Sequence, residues 1–169
     1  MVMFVTEVGS AAERWLRKGN LWAVPYYKEN LGSGSSMSVL IRNPQDSGKY
    51  IIVTVVDAGS DGKAKLLIHL DPSISSDGTP ISPISLKRPV ELTPTFEAYA
   101  DPSFTPGQDT IPLVIPGGRG VKSVGSREGF RSFVLLEEGQ EIIVELYNRD
   151  TDPGDASLYL EIYEETVGR

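Results

Sequence analysis

The sequence predicts an all-β protein, a single jelly-roll-like β-sandwich with a short N-terminal helix and arm. Three observations lead there: β-branched runs recur along residues 38–165, turn residues separate them at a fairly even pitch, and only one stretch has the signature of a helix. At 169 residues, 40% hydrophobic and 23% charged, the chain has the size and composition of one domain with an ordinary core. With no cysteine, that core has to hold by packing alone.

The amino terminus, MVMFVTEVGS, lacks a leading cation, and its apolar stretch is shorter than a secretory signal requires. No uncharged run approaches the roughly 20 residues that cross a bilayer as a helix. The expectation is a chain made in a cytoplasm, with no signal peptide and no membrane partner. In SAAERWLRK, Ser10 and Glu13 have the spacing of a capping box and Gly19 stands where a helix stops, so a short helix is expected over residues 10–18. WAVPYYKEN follows, and then the glycine- and serine-rich LGSGSSMS, which reads as a linker. Residues 1–36 are thus expected to be an arm and residues 37–169 the sandwich. Trp15, Trp22, Tyr26 and Tyr27 on that arm are candidate interface anchors, because buried aromatic side chains dominate protein interfaces.

Beyond the linker, strands are expected near 38–43, 49–57, 64–71, 81–87, 94–100, 110–115, 130–137, 140–148 and 156–165. Asn43-Pro44 through Gly48, Asp61-Gly62, Asp77-Gly78, Pro116-Gly117-Gly118, Glu138-Gly139 and Pro153-Gly154 supply the turns between them. KYIIVTVVD is apolar on both faces, with Ile51, Val53 and Val55 on one side, so it reads as a central strand introduced by the turn residues Asp46, Ser47 and Gly48. The last two strands alternate cleanly. Ile142, Val144, Leu146, Leu158, Leu160 and Ile162 point to the core, and Tyr147, Tyr159 and Tyr163 point outward with Glu141, Glu145, Glu161 and Ile143. These three tyrosines suit either ordinary cross-strand pairing or a subunit interface.

Tests for chemistry give little. The net charge of −7 and isoelectric point near 4.8 disfavour nucleic acid and anionic lipid. His69, the only histidine, falls on the outer face of its strand and reads as a surface residue, and no serine lies in a G-x-S-x-G elbow. PGGRGVKSVG places Val121, not glycine, before Lys122, which breaks the phosphate-loop pattern. Arg119, Lys122 and Arg127 read as loop cations. Asp150, Asp152 and Asp155 are candidate calcium ligands, but they lack the EF-hand spacing and also suit a hairpin turn. No catalytic, cofactor or metal residue emerges with a supporting pattern, and the chain is expected not to be an enzyme.

IRNPQDSGKYIIVT, HLDPS with the following GTPISPISL, PLVIPGG, VLLEEGQEIIVELYN and the closing LYLEIYEE occur in an order that resembles small virion structural proteins of tailed phages. The resemblance implies a capsid- or tail-associated module that self-associates into a symmetric homo-oligomer and contacts other virion proteins. The alternative is a carbohydrate-binding module with Tyr147, Tyr159 and Tyr163 as the sugar platform.

Overall fold

A computed structural model describes residue 18 and residues 20–87, 92–115 and 134–167. Save for Lys18, the helix expected over residues 10–18 lies outside the described residues, as do Trp15 and the PGGRGVKSVG stretch. Everything else described is strand, turn or irregular chain, and none of it is a helix long and apolar enough to cross a membrane.

Eight strands build two facing sheets. One contains β1 (Leu21–Leu31), β3 (Lys49–Ser60), β11 (Val134–Leu136) and β13 (Gly154–Thr166). The other contains β2 (Ser36–Arg42), β4 (Ala64–Leu70), β10 (Asp109–Ile115) and β12 (Glu141–Asn148). They pair antiparallel as a nested ribbon: β1 with β13, β2 with β12, β3 with β11, and β4 with β10. Rolled up, the ribbon gives β11-β3-β13-β1 facing β10-β4-β12-β2, the strand order of a jelly roll.

Five short strands lie between β4 and β10: β5 (Ser73–Ser76), β6 (Thr79–Pro80), β7 (Ile84–Ser85), β8 (Glu97–Ala100) and β9 (Ser103–Thr105). This insert extends the first sheet with β7 beside β1, making it five-stranded. It extends the second with β8 and β6 beyond β2, making it six-stranded. Strands β5 and β9 pair only with each other. The chain leaves the six-stranded sheet for the β5–β9 ribbon twice, through matching corners. Asp71 follows β4 and Asp101 follows β8, each at φ 49° and each followed by proline, and aspartate is among the few non-glycine residues that tolerate this conformation. Gly78 is held so closely that a Cβ there would stand 2.1 Å from the carbonyl oxygen of Ala100.

Side chains from both sheets fill the space between them. Val39, Ile41, Ile68, Ile142, Val144 and Leu146 of one meet Val24, Ile51, Val53, Leu158, Leu160 and Ile162 of the other, all almost wholly buried. Alternation in β12 and β13 thus places the core residues as expected. In β3 it fails midway: Ile51 and Val53 face the core, a bulge at Thr54 shifts the register against β13, and Val56 and Ala58 take the inward positions instead of Val55. The extra residue is held by its hydroxyl, which donates to the Glu161 carbonyl at 3.1 Å.

The expected arm is corrected by the structure. WAVPYYKENL is β1, hydrogen-bonded between β13 and β7, so the sandwich already includes Leu21 and does not begin at residue 37. Trp22 is 2% exposed and meets Phe96 edge-on, with ring centroids 6.4 Å apart. The glycine- and serine-rich stretch is a tight turn, closed by the Ser35 amide donating to the Gly32 carbonyl, which carries the chain from one sheet to the other.

Candidate functional site

The strand registers lay the outer faces of both sheets out in rows. On the six-stranded sheet, Thr110, His69, Ile143, Leu40 and Tyr99 stand side by side on five neighbouring strands. They face away from the core, yet His69, Ile143 and Leu40 are 3%, 0% and 0% exposed. The β5–β9 ribbon folds over this row, and Phe104 of β9 lies against the His69 ring with centroids 5.1 Å apart.

His69 is therefore on the face expected but is not a surface residue. Its Nε2 lies 2.8 Å from Glu145 Oε2 and its Nδ1 3.1 Å from Thr110 Oγ1. A carboxylate only accepts, so in the neutral ring Nε2 donates to Glu145 and Nδ1 accepts from the threonine hydroxyl. The connectivity matches that of a hydroxyl–imidazole–carboxylate triad. The hydroxyl, however, sits within an extended strand, and no strained turn among the described residues presents it as a nucleophile elbow would. What the arrangement does is satisfy a buried imidazole and give Phe104 a flat seat.

A second group anchors the insert. The Arg42 guanidinium reaches Asp77 through both terminal nitrogens, at 2.6 and 3.0 Å, and bonds Glu141 through Nε. It also lies 3.4 Å from Glu97 and 5.6 Å from the centre of the Tyr99 ring. The forked bond to Asp77 raises the guanidinium's proton affinity and holds the Asp77 carboxyl below the usual carboxylate range.

The aspartates considered for calcium organise turns. Asp150 accepts from the backbone amides of Lys63 and Thr151, and Asp155 accepts from the Tyr27 hydroxyl and the Asn30 amide. These bonds hold both carboxyls below their ordinary range, for Asp150 chiefly the Lys63 amide and for Asp155 chiefly the Tyr27 hydroxyl. Asp152 belongs to the same turn, where its carbonyl accepts from the buried Asn148 amide.

The candidate tyrosines are distributed over three environments. Tyr147, 37% exposed, is on the outer face of the six-stranded sheet, whereas Tyr159 and Tyr163 are on β13 in the other sheet. No single platform contains all three, because β12 and β13 are neighbours in sequence but lie in different sheets. Tyr163 is 2% exposed, and burial pushes its phenol pKa up. Tyr26 packs against the core and donates its hydroxyl to Asp101 at 2.5 Å, beside the Lys28–Asp101 ion pair at 2.9 Å.

The remaining surface is on the outer face of the five-stranded sheet. Its rows run Val55, Glu161, Ala23, Ile84; then Asp57, Tyr159, Pro25; then Gly59, Ser157, Tyr27. Tyr27 is 55% exposed and its hydroxyl is fixed on Asp155 at 2.6 Å, which with nearby carboxylates pushes its pKa up to about 12. Tyr159 stands one row away with its hydroxyl on Glu161 at 3.0 Å. Gly59 and Ser157 form a floor beside the two rings, close enough that a Cβ on Gly59 would come within 2.8 Å of Ser157 Oγ.

Sequence reasoning missed the covered row and the pairing of Tyr27 with Tyr159. A signal for the first was present: D-P-S occurs at residues 71–73 and again at 101–103, each time followed by one apolar residue, Ile74 or Phe104. These twin corners launch the two strands of the covering ribbon, which pair Ile74 with Phe104. No family model matches the sequence, and comparison with curated proteins gives no match.

Proposed function

We propose that the chain is a virion structural protein, capsid- or tail-associated, that assembles with copies of itself and with other virion proteins through the outer face of its five-stranded sheet. The observation that carries this reading is the exposed edge of Tyr27 and Pro25 on β1, beside Tyr159 on the adjacent strand of a rigid sandwich. Its aromatic rings are held in place by hydrogen bonds before any partner arrives. The jelly roll supports the same reading, since the fold is common in capsid proteins and its paired strands protect the sheet edges. So does the use of the groups with the most chemical appearance, His69 and Arg42, in fastening the insert. Of the anchors expected on the arm, Trp22 is buried in the core of its own sandwich and Tyr26 packs against that core, which leaves Tyr27 on the exposed face.

Light scattering and circular dichroism on the intact chain and on a Tyr27→Ala, Tyr159→Ala variant test the proposal. The intact chain should exceed the mass of one copy, alone or with particle proteins, and the variant should lose that excess while keeping its β signal. A chain that remains a single copy at high concentration, and that electron microscopy fails to find in any particle, would defeat it.

A further inference from the structure

The outer face of the six-stranded sheet is covered by the β5–β9 ribbon at His69 but is open towards its other end, where Val114, Lys65 and Tyr147 stand side by side on three strands. Val114 is 71% exposed, Pro112 on the same strand face is exposed, and the Tyr147 hydroxyl has no partner among the described residues. The Arg149 amide donates to the Lys63 carbonyl at 2.8 Å, so the same pairing runs one step further and brings two more cations side by side. None of the Lys63, Lys65 and Arg149 side chains has an ionic or hydrogen-bonded partner among the described residues. The Asp150 carboxylate in the adjoining turn is taken up by the amides of Lys63 and Thr151. Like charges opposite one another destabilise a strand pair, so carboxylates placed on this corner would relieve an unfavourable arrangement.

The outer face of the five-stranded sheet has the opposite balance. Glu29, Asp57, Glu161 and Glu165 stand on it, with no lysine or arginine among the outward residues of its described strands. Glu29 and Glu165 are exposed and hydrogen-bonded to nothing among the described residues. Of the six exposed large apolar side chains among the described residues, Tyr27, Ile84 and Leu135 lie on this face and Val114 and Tyr147 on the cationic corner. Each surface thus presents the charge that the other lacks.

We propose that the cationic corner of one copy docks on the outer face of the five-stranded sheet of the next, so that Lys63, Lys65 and Arg149 meet its carboxylates while Val114 and Tyr147 meet its apolar side chains. The two surfaces are on opposite sides of one sandwich, so the contact runs head to tail and gives rings or stacks instead of the two-fold pairs of a self-matched face. Opposite charge steers and orients such a contact, and like charge rejects the pairing of two five-stranded faces. The inference rests on the assembly reading and names the surface of the second copy that the five-stranded face receives.

The test uses the full chain and two variants, followed by light scattering at matched concentration, with circular dichroism to check the β signal. One variant loses the corner, Lys63→Gln with Lys65→Gln and Arg149→Gln. The other loses the receiving face, Tyr27→Ala with Glu29→Gln and Glu165→Gln. The intact chain should grow beyond two copies as concentration rises, and each variant alone should remain a single copy. Mixed in equal amounts, the variants should form pairs and nothing larger, because one keeps the receiving face and the other keeps the corner. Raising the ionic strength from about 0.05 M to about 0.5 M should weaken association of the intact chain about tenfold. If the corner variant loses its β signal, Lys65→Gln alone decides the matter, with association weakened about threefold. A corner variant that keeps the mass of the intact chain while the other variant loses it would overturn the inference and leave the assembly reading standing. A mixture that stays at single copies would overturn it as well, since unlike faces would not be the ones that meet. A receiving-face variant that keeps its mass would remove this inference and the assembly reading together. An intact chain that never associates with itself would overturn the inference, and its recovery in a particle would leave the assembly reading with other virion proteins as partners.

Discussion

On the outer face of the six-stranded sheet, His69, Ile143 and Leu40 lie beneath a ribbon of the chain's own insert, while on the other sheet Tyr27 looks outward, more than half exposed, with its hydroxyl fixed on Asp155. Both rows arise from the same period-two alternation. They differ in burial: the first is closed from solvent at His69, Ile143 and Leu40, and the second leaves Tyr27 exposed. A histidine between a hydroxyl and a carboxylate attracts chemical interpretation, but here it supports a cover. Tyr27 attracts little interpretation, but it occupies the accessible surface. Residue type is therefore a poor guide to role until burial is known.

The comparison requires first that both faces belong to one cooperative sandwich. Val53 lies between β11 and β13 and is 1% exposed, so Val53→Asp places an unpaired charge in the shared core. The expected loss exceeds about 4 kcal/mol, which removes the soluble fold and both faces together. Recovery of a folded variant with an unchanged melting temperature would break the comparison at its base.

The covered face should then prove costly to disturb. His69→Ala opens a cavity under Phe104 and leaves Glu145 without its donor, for an expected loss of about 2–4 kcal/mol in denaturant unfolding. The sequence alone, which places His69 on the outside, predicts almost no effect. A loss below about 0.5 kcal/mol would mean that the ribbon is not fastened there.

Acid should loosen the insert. The Asp77 carboxyl is held low by Arg42. For Asp101, burial raises the pKa, but hydrogen bonds from the Tyr26 hydroxyl, the Lys28 ammonium and the Ser38 amide outweigh it and bring it below the ordinary value. Each folded-state pKa lies under its unfolded value. The stabilisation is therefore complete above about pH 4 and is lost as pH falls through the folded values. Melting temperature should drop on that acid limb, and Asp101→Asn should flatten it. An unchanged limb in the variant would remove Asp101 from the anchoring set.

The smallest effect is expected on the open faces. Tyr147→Ala should change stability by less than about 1 kcal/mol. A loss comparable with that of His69→Ala would show the contrast between covered and open surface to be false.

Much of the fold was legible because core positions in β12 and β13 follow strict alternation, and Asp61-Gly62 and Glu138-Gly139 mark turns through residues that favour them. What could not be read was long-range. Neighbouring strands β12 and β13 look like a hairpin in sequence, but a jelly roll sends them to opposite sheets, and only the partners β2 and β1 reveal this. The WAVPYYKEN stretch hides a strand behind Pro25 and two adjacent tyrosines, and Pro25 is tolerated because β7 pairs only with Trp22 and Ala23, leaving the proline on an open edge. For the site, parity identified the outward faces of His69 and Tyr159 correctly, while covering by a distant ribbon has no local signature beyond the twin D-P-S corners.

The nested ribbon also has a consequence in time. Because β1 pairs with β13 and β2 with β12, the partners that complete each sheet are separated by most of the chain, and closing such long loops is what makes β topologies fold in milliseconds to seconds instead of microseconds. During synthesis β1 waits with one edge unsatisfied until β13 has emerged, so the central strands of the five-stranded sheet form last. In that interval the apolar β3 run from Tyr50 to Val56 is exposed to other chains, and crowding of nascent copies during rapid production is when misassembly is to be expected.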